Sequence, residues 1–270
     1  MEHGGAKEAA YRAAGAAAFV VYNAETWAWW HYGAWVLVLL AALEVLCRLT
    51  MVIGAAYQGA MGSAPIPRTG RHLDSLAAKD LAFIWFNRLT TCLFTYQLIR
   101  FCWFTPAIAW TLSDVTPVNT LVAFPCLFLI YDFFYTLFHK VLHVRGLYQY
   151  VHKHHHQQMA PTRGNADAVN VHPFEFLVGE YLHWVSAFVF SSFFPLHIGT
   201  IFMFIFIGGV LASLNHTRFD VKIPFVYQVR YHDLHHWYPG KNFGQYVMFW
   251  DVIFGFFRPY PQEKFRQAAE

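Results

Sequence analysis

The chain has 270 residues, enough for one large domain or two small ones. It is 57% hydrophobic and 20% aromatic but only 13% charged, against roughly 25% charged in an ordinary globular domain, so too few charges remain to coat a water-facing surface. The net charge of +3 is small and its basic residues sit beside apolar runs, which excludes a nucleic-acid-binding protein.

Residues 1–26 carry Glu2, Lys7 and Glu8 before an Ala-rich run. No basic region leads into a long apolar stretch there, so a cleaved signal peptide is not expected. A membrane span needs about 20 apolar residues, and Trp27–Cys47 qualifies, with Glu44 near its end. A second candidate runs from about Thr90 to Trp110 around Arg100, and a third from about Val118 to Phe138 around Asp132. Glu44 and Arg100 read as snorkelling or paired charges. Phe176–Phe194 and Ile198–Leu214 are apolar runs separated by FPLHIG, where Pro195 and Gly199 suit the turn of a helical hairpin. Cys47, Cys92, Cys102 and Cys126 lie in or beside apolar runs without a C-x-x-C spacing, and read as free thiols. The expected fold is therefore an all-α, polytopic membrane bundle of four to five spans including the hairpin.

Positive charge orients the bundle. Arg48, Arg68, Arg71 and Lys79 follow the first span; the loop at 111–117 has no Lys or Arg. Lys140, Arg145, Lys153 and Arg163 follow the third, and Arg218, Lys222, Arg230 and Lys241 follow the hairpin. All basic segments fall on one face, which the rule makes cytoplasmic.

That face also collects histidines: 13 of the 16 lie at or after position 139. His139 and His143 are spaced i,i+4 where the third span ends, so on a helix both imidazoles share a face. His152, His155 and His156 form H-x-x-H-H, and His232, His235 and His236 repeat it. These offsets of three and four also share a helical face, whereas His154 points elsewhere. His216 lies at the exit of the hairpin. One ion takes about four to six ligands, so nine histidines fit two adjacent metals. Imidazole-rich ligation suits iron, zinc or copper, and structural zinc usually prefers thiolates. An oxygen-activating di-iron centre is the natural use of such a site at the mouth of a lipid-facing bundle. Asp132, seven residues before His139 and two turns deeper, and Asp233, inside the last box, are the first candidates to hydrogen-bond and orient the imidazoles.

These segments resemble the membrane fatty acid hydroxylase superfamily, which includes sterol desaturases and sterol methyl oxidases. The carriers are DFFYTLFHKVLH (132–143), HKHHH (152–156), VHPFE (171–175), LNHTRFD (214–220), YHDLHHWYPGKNFG (231–244) and FWDVIFG (249–255). The three-residue gap between His139 and His143 is closer to the sterol-modifying branch. The resemblance divides the chain into membrane helices over 27–128, a hydroxylase-like catalytic domain over 129–258 and a tail over 259–270. It implies a di-iron monooxygenase or desaturase that uses O2 on a membrane lipid or sterol. Electrons would come from a small haem or ferredoxin-type donor with its reductase. The location it implies is the endoplasmic reticulum membrane, with the histidines toward the cytoplasm. By the same carry-over the ligands are His139, His143, His152, His155, His156, His216, His232, His235 and His236, and His172, Asp220 and Asn242 join Asp132 and Asp233 as supporting candidates. Two segments depart from the family pattern: His216-Thr217-Arg218-Phe219 and Asn242-Phe243-Gly244 each lack a tyrosine that relatives often carry. A rival reading is a catalytically retired relative serving as a structural or lipid-binding subunit of a membrane complex. A metal transporter fits less well, because ligands at span ends are not at mid-membrane.

Overall fold

A computed structural model describes residues 27–261; the expectations for residues 1–26 and for the end of the C-terminal tail lie outside them. Seven helices carry the architecture: α1 (Trp29–Met61), α2 (Ala78–Phe104), α3 (Ala123–Leu142), α4 (Pro173–Ser191), α5 (Ile198–Leu214), α6 (Val229–Trp237) and α7 (Phe249–Ile253). Strands among the described residues are four two-residue pieces, β1 (Ile108–Ala109), β2 (Leu196–His197), β3 (Lys222–Ile223) and β4 (Tyr227–Gln228). The all-α expectation holds.

Local chemistry explains the helix ends. α1 stops at Gly62, whose φ of 58° is the left-handed conformation that closes helices, before Pro65 and Pro67 bar its continuation. α2 starts where the Asp80 carboxylate accepts the Ala77 amide at 2.7 Å, and ends just before Pro106. Pro173 opens α4, with the His172 ring accepting the Phe174 amide at 3.2 Å. The hairpin is present as α4 and α5, and its turn is not free. β2 pairs in parallel with β1, and His197 caps α5 through Gly199 at 3.1 Å while its Nε2–H donates to the Thr111 carbonyl at 3.2 Å.

α1 and α2 extend beyond the expected spans, and for one reason. Hydropathy marks only the lipid-level part of a helix, whereas these helices continue into the histidine-bearing cap. The last turns of α1 bring Tyr57 OH to the Lys222 carbonyl at 2.7 Å, and Gly54 so close to the Phe219 ring that a Cβ would sit 2.2 Å from it. The first turns of α2 carry Asp80, which accepts from Asn170 at 3.0 Å, and Asn87, which donates to the Val169 and Val171 carbonyls at 2.8 and 3.0 Å. Glu44 pairs with Arg48 at 3.0 Å, and Arg100 lies over Tyr96 and Phe104.

The expected boundary at 128/129 falls inside α3. One core joins Phe94, Leu98 and Cys102 of α2 to Leu127, Phe128 and Tyr131 of α3, Ala187 and Phe190 of α4, and Ile201 and Phe204 of α5. Two helical segments, Trp29–Met61 and Val118–Leu142, are long and apolar enough to cross a membrane, and Ile198–Leu214 is a shorter apolar helix. α1 leaves Leu37, Val38, Val45 and Val52 exposed, an apolar face of the kind that water does not favour.

Candidate metal centre

Four chain segments deliver nine imidazoles to one end of the bundle. His139 lies in the last turn of α3 and His143 is its C-cap. His152 ends a π-helical turn over Tyr148–His152, and a short 3-10 turn over His155–Gln157 follows. His216 lies just beyond α5, and His232, His235 and His236 lie on α6.

The nine fall into two groups: His139, His143, His152, His156 and His235 form one, and His155, His216, His232 and His236 the other. Within each group the ligand atoms lie within 4.8 Å of one another. Both H-x-x-H-H boxes are therefore split between the groups, which corrects the expectation that each presents one face. In all three boxes the i,i+4 pair stays together (139 and 143, 152 and 156, 232 and 236), and in the two H-x-x-H-H boxes the remaining histidine, His155 or His235, joins the other group. On α6 the cause is angular: residues four apart differ by about 40° around a helix, while His235 and His236 are about 100° apart. At 152–156 the backbone is π- and 3-10-turned rather than α-helical, so His155 swings away from its neighbours.

Hydrogen bonds at the far ring nitrogens fix the tautomers. His139 Nδ1–H donates to the Phe243 carbonyl at 2.8 Å, His235 Nδ1–H to the Lys241 carbonyl at 2.7 Å, and His216 Nδ1–H to the Ala212 carbonyl at 2.9 Å. His152 Nδ1–H donates to Glu175 Oε1 at 2.8 Å. In a neutral ring each of these leaves Nε2 as a lone pair. These Nε2 atoms converge with those of the other rings: His139 to His152 at 3.0 Å, His152 to His156 at 2.9 Å, His156 to His235 at 3.2 Å and His235 to His143 at 3.3 Å in the first group. In the second, His232 lies 3.2 Å from His216 and 3.1 Å from His236, and His216 lies 3.4 Å from His155.

The facing lone pairs of His139 and His152, 3.0 Å apart, repel unless a cation lies between them. Metal–imidazole bonds of about 2.0–2.1 Å separate neighbouring ligand nitrogens by about 2.9 Å at right angles and about 3.3 Å at the tetrahedral angle. The observed spacings match that range, so each group fits a metal ion by donor type, direction and distance. Burial supports the same state. Loss of hydration, then the charge of His139, holds the His156 imidazole down to about 3, and burial holds His155, His232, His235 and His236 well below the usual histidine range. Neutral imidazole is the form that ligates.

The residues that steady the imidazoles are mostly not those expected. Asp132 is fully buried, but it accepts the backbone amides of Gln245, Tyr246 and Val247 at 2.9, 3.1 and 2.5 Å, and bonds to no imidazole. His172 caps α4; its neighbour in the same VHPFE motif, Glu175, is the one that holds a ring. Asp220 pairs with Arg230 at 2.5 Å, and Asp233 with Arg218 at 2.8 Å and Tyr260 OH at 3.1 Å. Asn242 (φ 57°) accepts the Arg258 amide at 2.8 Å and donates to the Arg258 and Tyr231 carbonyls. Asp251 was not singled out in the sequence, yet it accepts the Phe243 and Gly244 amides at 2.6 and 2.8 Å. A Cβ at Gly244 would meet Asp251 Oδ2 and the Val247 carbonyl at 2.8 Å, so glycine is required there. Asp132, Asp251 and Asn242 thus clamp the 241–247 loop from three sides, and that loop supplies the Lys241 and Phe243 carbonyls to His235 and His139. His154 belongs to neither group, as expected: it lies 2.9 Å from Asn170 Oδ1 and 3.1 Å from Asp80.

Beside the second group lies a cavity of about 210 Å³, bounded by α1 to α5 and the 245–246 segment, with His155, His216 and His232 in its wall. α4 contributes Glu175, Phe176, Gly179, Glu180 and His183. None of the hairpin aromatics Trp184, Phe190, Phe193 and Phe194 lines this cavity: Phe190 is in the core, while the other three are on the outer surface.

Residues 124–256 match the fatty acid hydroxylase family model, and that segment contains all nine converging histidines. Relatives of the chain include a Delta(7)-sterol 5(6)-desaturase of Aspergillus fumigatus, 28% identical over 57% of the chain and 42% of the relative. A methylsterol monooxygenase 1 of Danio rerio is 26% identical over 59% of the chain and 54% of the relative, and a fatty acid hydroxylase of Mycosarcoma maydis is 30% identical over 45% and 29%. The chain thus spans about half or less of the curated relatives it matches. No solved structure matches it. The sterol-modifying relatives agree with the branch that the three-residue His139–His143 gap suggested.

Proposed function

We propose that the protein is a membrane-bound, O2-dependent di-iron oxidase that hydroxylates or desaturates an unactivated C–H bond of a lipid or sterol. The observation that carries this reading is the pair of adjacent imidazole groups beside a cavity. His139, His143, His152, His156 and His235 would hold one iron, and His155, His216, His232 and His236 the other. Bound iron would supply the redox chemistry that activates dioxygen.

The chain's own residues do the rest. Glu175 and the Lys241, Phe243 and Ala212 carbonyls hold the Nδ1 protons, which aims Nε2 lone pairs inward and raises their basicity. The cavity holds the reacting segment of the substrate beside His155, His216 and His232 and keeps bulk water away. Electrons would arrive from a haem or ferredoxin-type carrier with its reductase. Four to five spans in the endoplasmic reticulum membrane, with the histidine cap facing the cytoplasm, suit the basic segments and the apolar face of α1.

Two observations favour an active enzyme over a catalytically retired relative. At Asn242-Phe243-Gly244 it is the Phe243 carbonyl, not a side-chain hydroxyl, that holds His139. At 216–219, Arg218 is paired with Asp233. Metal analysis of the purified protein, together with lipid and sterol profiles of cells with and without it, tests the proposal. Two irons per chain and an oxygen-dependent product are expected; a metal-free protein with unchanged profiles would refute it.

A further inference from the structure

We propose that the surface over His143, rimmed by Lys140, Arg145, Lys153 and Lys241, is the docking face of an acidic one-electron carrier protein. This rests on the oxidase reading and adds to it where the redox partner meets the chain, and with what charge.

The two imidazole groups face different ways. His155, His216 and His232 of the four-histidine group line the cavity, and no member of the five-histidine group does. All four histidines of the cavity-side group are buried, whereas His143 and His156 of the other are half-buried. Tyr148 leans on both, its ring 5.4 Å from His143 and 5.9 Å from His156, and is itself half-buried. The five-histidine group is therefore the one that a second protein can approach from outside, which leaves the cavity side to the substrate. Electron transfer weakens steeply with the gap between two redox centres, so a carrier must seat over this exposed edge.

Charge defines the partner. Lys140, Arg145 and Lys153 are exposed and Lys241 is half-buried, and residues 133–166 and 234–250, which carry all four, contain no Asp or Glu. None of the four forms an ion pair among the described residues. Lys140 lies over the Phe243 and Phe256 rings at 4.9 and 5.1 Å, and Lys241 donates to the Gly255 carbonyl at 2.9 Å, so both charges are held in place without being neutralised. A general excess of positive charge on the cytoplasmic side does not account for this, because elsewhere in the cap Arg163, Arg218 and Arg230 are each paired with an aspartate. Between Lys140 and Lys153 in the chain, Val144, Leu147 and Tyr150 are 56%, 40% and 75% exposed. Apolar side chains inside a polar rim are the composition of a protein–protein interface, and unpaired cations speed the arrival of an acidic partner. A small, transient contact suits a carrier that must leave after each electron. In each encounter the carrier loses one electron and the metal of the five-histidine group gains it, with no atom transferred. Two encounters supply the pair of electrons that an O2-dependent hydroxylation or desaturation consumes.

The test is equilibrium binding to the full, metal-loaded chain in nanodiscs of zwitterionic lipid. The probes are a soluble acidic b-type cytochrome and an acidic [2Fe–2S] ferredoxin, with a basic c-type cytochrome as the like-charged control. At least one acidic carrier should bind, and its affinity should fall at least about tenfold between about 20 and about 200 mM salt. Arg145→Glu combined with Lys153→Glu should weaken that binding at least about tenfold at low salt and slow oxidation of the pre-reduced carrier to match. Lys222→Glu, which reverses an exposed cation of the β3–β4 hairpin, should change it by less than about twofold. Failure of both acidic carriers to bind, or binding no tighter than that of the basic control, overturns the docking face without using any variant. Unchanged binding in a folded, metal-loaded double variant overturns it too, and loss of retained anionic lipid from that variant would then assign the face to lipid headgroups. Because binding is read without turnover, reversal-sensitive binding by a protein that oxidises no lipid sinks the oxidase reading and leaves the docking face; lipid oxidation with carrier binding that the reversals do not alter does the opposite.

Discussion

His139 and His152 face each other through Nε2 atoms 3.0 Å apart, while their Nδ1 hydrogens are committed to the Phe243 carbonyl and the Glu175 carboxylate. Neither neutral ring has a hydrogen to offer the other, so the contact is favourable only around a cation.

Glu175→Gln should weaken metal retention by about 10- to 100-fold while leaving the helical content unchanged, since carboxylate partners of ligating imidazoles contribute on that scale. Competition with a chelator, followed by metal analysis, reads it. Retention equal to wild type would remove Glu175 from the support of His152.

His235→Ala and His155→Ala should each lower bound iron and abolish oxidation, but through different ions, because His235 belongs to the five-histidine group and His155 to the four-histidine group. Spectroscopy of the remaining iron should then differ between the two variants. Identical residual spectra would contradict the partition.

His154→Ala should keep its metal, yet it should not be silent. His154 is bonded to Asn170 and lies beside Asp80, tying α2 to the cap, and loss of that contact should cost about 1–2 kcal/mol. A lower Tm with normal iron content is the expected pair of results.

Asp132→Ala leaves three buried backbone amides without an acceptor, a loss of at least about 3 kcal/mol. The 241–247 loop should loosen, so protection of its amides from hydrogen exchange should drop together with metal affinity. Exchange limited to other segments would show that Asp132 does not act through that loop.

Acid should strip the metal. The free imidazoles of the cap have folded-state values below the unfolded value of about 6.5, with His156 at about 3. The unfolded chain therefore binds more protons between those values, and stability present above pH 6.5 is lost as pH falls toward 3. Protons also compete directly with metal for Nε2. Metal content after dialysis at pH 7.5 and at pH 5 should differ severalfold; equal content at both would argue against histidine ligation.

The sequence by itself determined the solvent, the helices and the identity of the converging histidines. Low charge and long apolar runs leave few alternatives to a helical bundle, and the i,i+4 spacings survive folding because they depend only on local helix geometry. Glu175 was legible too, since it stands in the same VHPFE motif as His172, but the choice between them needed the fold: one faces the cap interior and the other caps a helix. Only the tertiary structure decided how each H-x-x-H-H box divides between two groups, because that depends on how α6 and the 148–157 turns are angled against α3. It alone showed that Asp132 and Asp251 act through backbone amides of a loop more than 100 residues from Asp132 in the chain. It also set the four-histidine group against the cavity and left His143 of the other group half-buried. Local spacing encodes which side chains share a face; which partner each face meets is set by packing between segments distant in sequence.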